Sequence, residues 1–385
     1  MTLIALAAAE ASGDQLGAAL MRAIRQRAPD ARFVGIGGLE MQAAGLDAWW
    51  DCAELSVMGL AEVVTHLPRL LRLRRQLVGR LLAARPDVFV GIDAPDFNLA
   101  VEKRLRRTGI PVVHYVSPTV WAWRPGRVRT IDRSTERVLC LFPFEPACYE
   151  GLDVGADFTG HPLADRLNSC PDATGARTKL GVGADGPCIA ILPGSRTQEV
   201  ERLAPAMLDA AAILADRYPG SRFLLAAASP EIRDTLQRRL NGRATLEGRI
   251  FVGLTEAVMT AADVVICASG TATLEAMLIN RPMVVCYRVS PLTNLLMRGL
   301  KLLRTRFVAL PNILAQRALV PELLQRAASA GRIAEETSRW LDDPDLRESL
   351  TRQFDDLRRQ LRTNAAANAA QAILQHMTPA PDARV

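Results

Sequence analysis

The chain has 385 residues, of which 49% are hydrophobic and 23% charged. That is enough for two or three domains with proper cores, and it excludes extended disorder except at the tail from Thr378 onward. The net charge of +6 is carried mostly by arginine, with aromatics at 5%, which suits planar recognition of phosphate or carboxylate but lacks the stacking groups of a nucleic-acid binder.

The opening run Leu3–Ala9 has no basic segment before it and reads as a strand, not as a signal peptide. Glu10-Ala-Ser-Gly-Asp14 reads as a loop, after which Leu16, Leu20 and Ile24 recur at helical spacing. Phe33–Gly38, Val88–Ile92, Ile110–Val116 and Val138–Phe142 are further apolar runs. Continuous apolar strands separated by helices predict a doubly wound parallel sheet covered on both faces. The pattern pauses at Thr159-Gly-His-Pro162 and over the polar stretch Asn168–Gly186, where a linker is expected. It restarts with Cys188–Leu192, Phe223–Ala228, Ile250–Val252, Val264–Cys267 and Met283–Tyr287. Two Rossmann-like α/β domains facing a cleft are therefore expected, over residues 1–167 and 168–344. Residues 345–385 read as polar helices packing back across the domains or onto a dimer partner. No run reaches the length of a membrane span, and the scattered Cys52, Cys140, Cys148, Cys170, Cys188, Cys267 and Cys286 suit reduced core thiols. A cytoplasmic protein follows from these readings.

Ligand groups in such sheets lie at the carboxyl ends of the strands. Leu192-Pro193-Gly194-Ser195-Arg196 joins a buried strand to a helix beginning near Val200. Unpaired amides and the helix dipole there, with Arg196 beside them, make an anion site; the alternative is an ordinary turn with a surface arginine. Cys267-Ala-Ser-Gly-Thr-Ala-Thr-Leu-Glu275 repeats the arrangement. Ser269, Gly270 and Thr271 would line the turn, and Glu275, one turn inside, could hold a ribose diol; a capped helix with a solvated glutamate is the alternative. Asp93 ends a buried strand, so it is either a cap before Pro95 or a general base raised by desolvation. For nearby Asp96 a structural role is expected. His114 and His161 lie near strand ends, as structural hydrogen-bonders or as acid/base groups. A metal-binding carboxylate pair at Asp93 and Asp96 is conceivable, but no histidine or cysteine lies at supporting spacing; no metal site and no cofactor are expected. Two arginine–leucine stretches, 57–82 and 292–308, are amphipathic helices that either lie on an anionic membrane or bury their leucines in the core.

Taken in order, several motifs resemble the lipid-A-disaccharide synthase family almost end to end. They are Glu10-Ala-Ser-Gly-Asp14, Val57-Met-Gly59, Asp87–Asn98, His114–Arg124, Gly160-His-Pro162, Leu192–Arg196, Ala268–Glu275 and Leu310-Pro-Asn312. The resemblance implies an inverting glycosyltransferase of the GT-B type. It would join UDP-2,3-diacylglucosamine to 2,3-diacylglucosamine 1-phosphate (lipid X), giving the β(1→6) disaccharide and UDP. It implies Asp93 as base, and UDP held by Gly194, Ser195, Arg196, Ser269, Gly270, Thr271 and Glu275, with Ser12, Gly13, Asn312 and Gln316 near the donor. It further implies a homodimer, peripheral on the cytoplasmic face of the inner membrane, without nucleic-acid partners. The rival readings are another sugar-nucleotide enzyme of the same fold, such as a UDP-N-acetylglucosamine epimerase, or a non-catalytic protein binding lipid phosphates.

Overall fold

A computed structural model describes residues 2–55, 60–122, 125–167, 172–183, 185–241, 248–289 and 305–377. The motif Val57-Met-Gly59, Trp123-Arg124, Cys170 and most of the 292–308 stretch lie outside the described residues. The chain forms two compact units, residues 1–165 with 360–385, and residues 166–359.

The first unit runs β1 (Leu3–Ala8), α1 (Ala11–Arg27), β2 (Arg32–Gly37), α2 (Leu39–Ala43), β3 (Leu46–Asp51) and α3 (Leu60–Ala84). It continues through β4 (Val88–Ile92), α4 (Pro95–Arg106), β5 (Val112–Tyr115), α5 (Val128–Asp132), β6 (Arg137–Cys140) and β7 (Gly155–Phe158) to α6 (Pro162–Arg166). Its seven strands, all paired in parallel, stand in the order β3-β2-β1-β4-β5-β6-β7. Alternation along β1 explains the two-sided covering, because successive side chains leave opposite faces. Ile4, Leu6 and Ala8 pack with α1 residues Leu20 and Ile24, while Ala5 and Ala7 pack with Leu73, Leu77 and Leu81 of α3. Those leucines are buried, so this part of the arginine–leucine stretch is a core helix with a solvated arginine face; Leu67, nearer its start, is exposed.

The second unit runs α7 (Ala173–Leu180), β8 (Cys188–Leu192), α8 (Thr197–Arg217), β9 (Arg222–Ala227), α9 (Pro230–Leu240), β10 (Gly248–Val252) and α10 (Thr255–Ala261). Then come β11 (Val264–Ala268), α11 (Thr271–Leu278), β12 (Met283–Tyr287), α12 (Leu310–Ala315), β13 (Glu322–Leu324), α13 (Ala330–Asp342) and α14 (Pro344–Leu361). Its parallel sheet repeats the plan in the order β10-β9-β8-β11-β12-β13. The stretch expected as a plain linker contains α7, whose Arg177 donates to the Ala261 carbonyl at 2.8 Å and pairs with Asp263. Arg358 of α14 bonds Asp355, which in turn accepts from Asn280 of this unit.

The last helix, α15 (Ala365–Met377), belongs to the first unit. Ala369, Ala370 and Ile373 enter its core beside α1. Asp165 accepts the backbone N–H groups of Asn364 and Ala365 and so caps this helix from a residue about 200 positions earlier. Thr363 and Asn368 both donate to the Thr159 carbonyl, at 2.7 and 3.1 Å.

Candidate active site

In each unit the chain leaves its first strand in one direction and later returns to that strand's other side. The strand order therefore reverses between β1 and β4, and again between β8 and β11. Loops on either side of such a reversal diverge and leave a crevice at the carboxyl ends.

In the second unit that crevice is a pocket of about 250 Å³ lined by Leu192, Gly194, Ser195, Glu199, Thr255, Ser269 through Ala272, and Glu275. Both loops predicted as anion sites thus meet in one place. Gly194 takes φ +128°, a value closed to side chains, and a Cβ there would stand 2.9 Å from the Cβ of Glu199. Neither α8 nor α11 has a side-chain cap at its start, and α11 has no acidic residue in its first turn. The leading amides of α11 and its dipole are therefore free for an anion.

Glu275 sits half-buried on α11, and burial raises its carboxyl above the usual range, countered by Arg166. It has no protein hydrogen bond among the described residues, so its oxygens remain available to hydroxyl donors. Ser269 differs from the expectation. Its hydroxyl donates to the Val308 carbonyl at 2.8 Å and its amide to Cys286, so its own donors are engaged in holding the loop. Arg196 is the start residue of α8 but does not line the pocket. Its side chain is 82% exposed and approaches Glu199 at 3.4 Å. Glu199 was missed by the sequence reading; its signal was its position three residues after Arg196, in the first helical turn.

Asn312 is fully buried and acts as a latch. It donates to the Val320 carbonyl and Glu322 and accepts from the amides of Leu319 and Val320. Gln316 is exposed and bonds the Ile313 carbonyl at 2.7 Å. Neither is among the pocket-lining residues.

In the first unit the reversal brings the ends of β1 and β4 together, with Ala8 opposite Ile92. Glu10-Ala-Ser-Gly-Asp14 is the start of α1 and not a free loop: Glu10 is the cap position and helix begins at Ala11. Ser12 is exposed, while Gly13 is buried with room for a Cβ only 3.4 Å from that of Ala8. Asp14 accepts the amides of Gly38, Glu40 and Met41 and so caps α2. With Glu10 and Asp14 at its N-terminus, α1 already has negative charge where α11 has none.

Asp93 follows β4, and it is exposed, so the first unit alone does not supply the desolvation expected for it. Its backbone is unusual: Asp93 and Ala94 both lie in the left-handed region, at φ +50° and +43°. Asp96 pairs with Arg127, as a structural role requires. His114 is fully buried against Glu102, Nδ1 to Oε1 2.7 Å. His161 is structural as well: its ring accepts from the Leu163 amide and lies by Phe142, and burial lowers it to about 4. Among the described residues no helix is long and apolar enough to cross a membrane.

Comparison with known proteins identifies the lineage of these two sites. The family model described as Lipid-A-disaccharide synthetase matches residues 4–373. Lipid-A-disaccharide synthase of Alkalilimnicola ehrlichii is 51% identical over 374 residues, covering 96% of this chain and 97% of the relative. That of Xanthomonas campestris is 48% identical, covering 97% and 86%. Among solved structures, UDP-GlcNAc 2-epimerase of Neisseria meningitidis bound to UDP-GlcNAc aligns with a TM-score of 0.64 at 13% identity, over 97% of this chain and 99% of that one. MurG of Acinetobacter baumannii aligns with 0.58 at 14%, over 97% and 99%. At such identities these structures establish the fold, two Rossmann-like parallel-sheet domains of the GT-B class, and nothing finer. The sequence relatives, matched nearly end to end, decide the rest: the chain belongs to the lipid-A-disaccharide synthase family, glycosyltransferases of lipid A biosynthesis.

Proposed function

We propose that the chain transfers 2,3-diacylglucosamine from its UDP donor to lipid X with inversion at the anomeric carbon. The observation that carries the donor half is the pocket of the second unit, where uncapped helix starts share one crevice with a Glu275 carboxylate that has no hydrogen bond among the described residues. The amides of Gly270, Thr271 and Ala272 and those beside Gly194 and Ser195 hold the diphosphate. Glu275 accepts the two ribose hydroxyls. Arg196, free to swing from its exposed contact with Glu199, meets the charge that grows on the departing UDP. Ser12 and Gly13, with Asn312 and Gln316 shaping the donor side, are carried over from the family motifs.

Asp93 accepts the proton of the acceptor 6′-hydroxyl as that oxygen bonds to the donor's anomeric carbon. The bond from that carbon to the diphosphate oxygen breaks, and its electron pair leaves with UDP. A single displacement of this kind inverts the α-linked donor to a β product and needs no covalent intermediate. Substrates with acyl chains call for work at an anionic membrane surface. The exposed Leu67 among the arginines of α3 suits contact with the cytoplasmic face of the inner membrane. A homodimer is carried over from the family.

The test is UDP release by purified protein given both lipids. Asp93→Asn should lower turnover by about 10²–10⁴-fold, the usual yield of a general base, with UDP affinity unchanged. Turnover near the wild-type rate in that variant removes the base role. Conversion of the sugar nucleotide without acceptor would instead favour the epimerase reading.

A further inference from the structure

Directly beneath the Asp93 turn lies a group of buried polar side chains that neither donor binding nor proton transfer uses. Asn98, Glu102 and His114 are each 0% exposed. Asn98 and Glu102 lie one turn apart on α4, and His114 is on β5 opposite Gly91 of β4. All three converge on Gly91, where a Cβ would stand 2.1 Å from Glu102 Oε1 and 3.0 Å from the Asn98 Cβ. The absence of a side chain at 91 is what admits the group.

The Asn98 amide is a three-way clamp. Its Nδ2 faces the carbonyls of Ala7, Ile92 and Asp93 at 3.2, 3.3 and 2.9 Å. It thus ties the end of β1, the end of β4 and Asp93 itself to one side chain. The Asp93 amide donates to the Tyr115 carbonyl at 2.8 Å, next in chain to His114. Glu102 pairs with His114 behind the clamp. Burial pushes the Glu102 carboxyl up, and His114 opposes that rise.

This arrangement is a poor way to stabilise a fold. Among the described residues Asn98 Oδ1, Glu102 Oε2 and His114 Nε2 are all buried without a protein hydrogen-bond partner, and each such atom costs free energy that apolar packing would avoid. Two consecutive non-glycine residues at positive φ add strain. Strain of this kind persists only where surrounding contacts over-determine it.

We propose that Asn98, with the Glu102–His114 pair behind it, is the positioning apparatus of Asp93, holding the left-handed turn that aims the carboxylate at the acceptor hydroxyl. The proposal rests on Asp93 acting as the base. The three residues touch no substrate; they act through the backbone of residues 92–94. A misplacement of about 1 Å at a reacting group can cost ~10²-fold in rate, so the clamp has leverage on turnover while the donor pocket, built from other elements, is untouched.

The experiment compares Asp93→Asn, Asn98→Ala, Glu102→Gln and the double variant Asp93→Asn/Asn98→Ala in the full chain. It measures kcat for UDP release, UDP affinity by calorimetry, and melting temperature. Asn98→Ala should lower kcat by about 10- to 100-fold with UDP affinity within twofold of wild type. The double variant should be no more than about twofold slower than Asp93→Asn, because a clamp that works only through Asp93 has nothing left to aim. A purely structural role predicts additive losses instead. Should Asn98→Ala fail to fold, Glu102→Gln keeps the shape and should still slow kcat by roughly fivefold or more. A structure of the folded variant should show Asp93 leaving positive φ. Additive losses, or kcat within threefold of wild type in both Asn98→Ala and Glu102→Gln while Asp93→Asn is inactive, overturn the positioning role alone. An active Asp93→Asn overturns the base reading and the coupling with it.

Discussion

Replacing Glu275 by glutamine should separate stability from function at one atom. The carboxylate is half-buried on α11, and burial, the largest influence on it, raises its pKa, with Arg166 lowering and Glu256 raising it further. A carboxyl raised in the folded state keeps its proton to higher pH than in the unfolded chain. Its contribution to stability is therefore present at low pH and lost as pH rises through the folded value. Above the folded value the ionised native form bears the desolvation cost, and Glu275→Gln removes it, so the variant's melting temperature should rise there in the absence of ligand. Binding should move the opposite way. A carboxylate accepting two ribose hydroxyls makes charge-assisted bonds of about 1.5–3 kcal/mol each. Glutamine retains one acceptor oxygen, so the loss should be about 1.5–3 kcal/mol, or ~10- to 100-fold in UDP affinity. Calorimetric titration with UDP and with a 2′,3′-dideoxy analogue tests this directly. The wild type should discriminate between them, and Glu275→Gln should barely do so. If the variant binds UDP within threefold of wild type, or discriminates as strongly, the diol assignment is wrong.

Gly194→Ala and Gly270→Ala form a contrasting pair. Both sit at φ values closed to side chains, +128° and +147°, but a Cβ at 194 meets Glu199 at 2.7–2.9 Å while one at 270 meets nothing within 4 Å. Strain of about 1–3 kcal/mol is common to both, so thermal melts should show the larger drop for Gly194→Ala. Arg196→Ala should leave the melting temperature alone, because an exposed pair with Glu199 is worth roughly 0–1 kcal/mol. Its kcat should nonetheless fall by a barrier increase of about 2–4 kcal/mol, and an unchanged kcat would remove its role at the leaving diphosphate. Glu145, 2% exposed and raised to about 7 by burial, holds a proton in the folded chain that the unfolded chain releases at the ordinary carboxylate range. Stability should fall as pH rises from about 4.5 to 7 and then flatten, by ~3 kcal/mol at most; denaturant melts of Glu145→Gln should lack that slope.

The strands of both sheets were legible where they are buried on both faces, because Val88–Ile92 or Cys188–Leu192 then read as unbroken apolar runs. The edge strands β3, β7 and β13 were not, although Ile250–Val252 marked the edge strand β10. β3, Leu-Asp-Ala-Trp-Trp-Asp, is half-exposed and carries two acids, Asp47 and Asp51, and β13 is three residues long. The two loops that line the second unit's pocket were legible as strand-to-helix turns, because glycine after a buried strand marks such a turn. Glu10-Ala-Ser-Gly-Asp14 misled for a related reason. Serine, glycine and aspartate favour turns when read singly, yet Asp14 is satisfied by three amides of α2, a tertiary contact that no local pattern carries. The clamp under Asp93 was hidden more deeply still. Asn98 and Glu102 read as polar helix positions, and only the empty space above Gly91 turns them inward.

The two units share a strand plan but present different chemistry at their reversal points, and the difference begins with charge at the helix starts. In the second unit α11 opens with Gly-Thr-Ala-Thr, without an acid and without a side-chain cap, so its dipole is left for a ligand anion. In the first unit α1 opens with Glu10 at its cap position and Asp14 in its first turn, acids where α11 has none. What the first unit offers in its place is carboxylate, Asp93 on a strained turn with Glu10 beside the paired strand end. Structures at 13–14% identity share this fold. The fold supplies the reversal point, and a handful of residues at the helix starts decide which ligand charge it accepts.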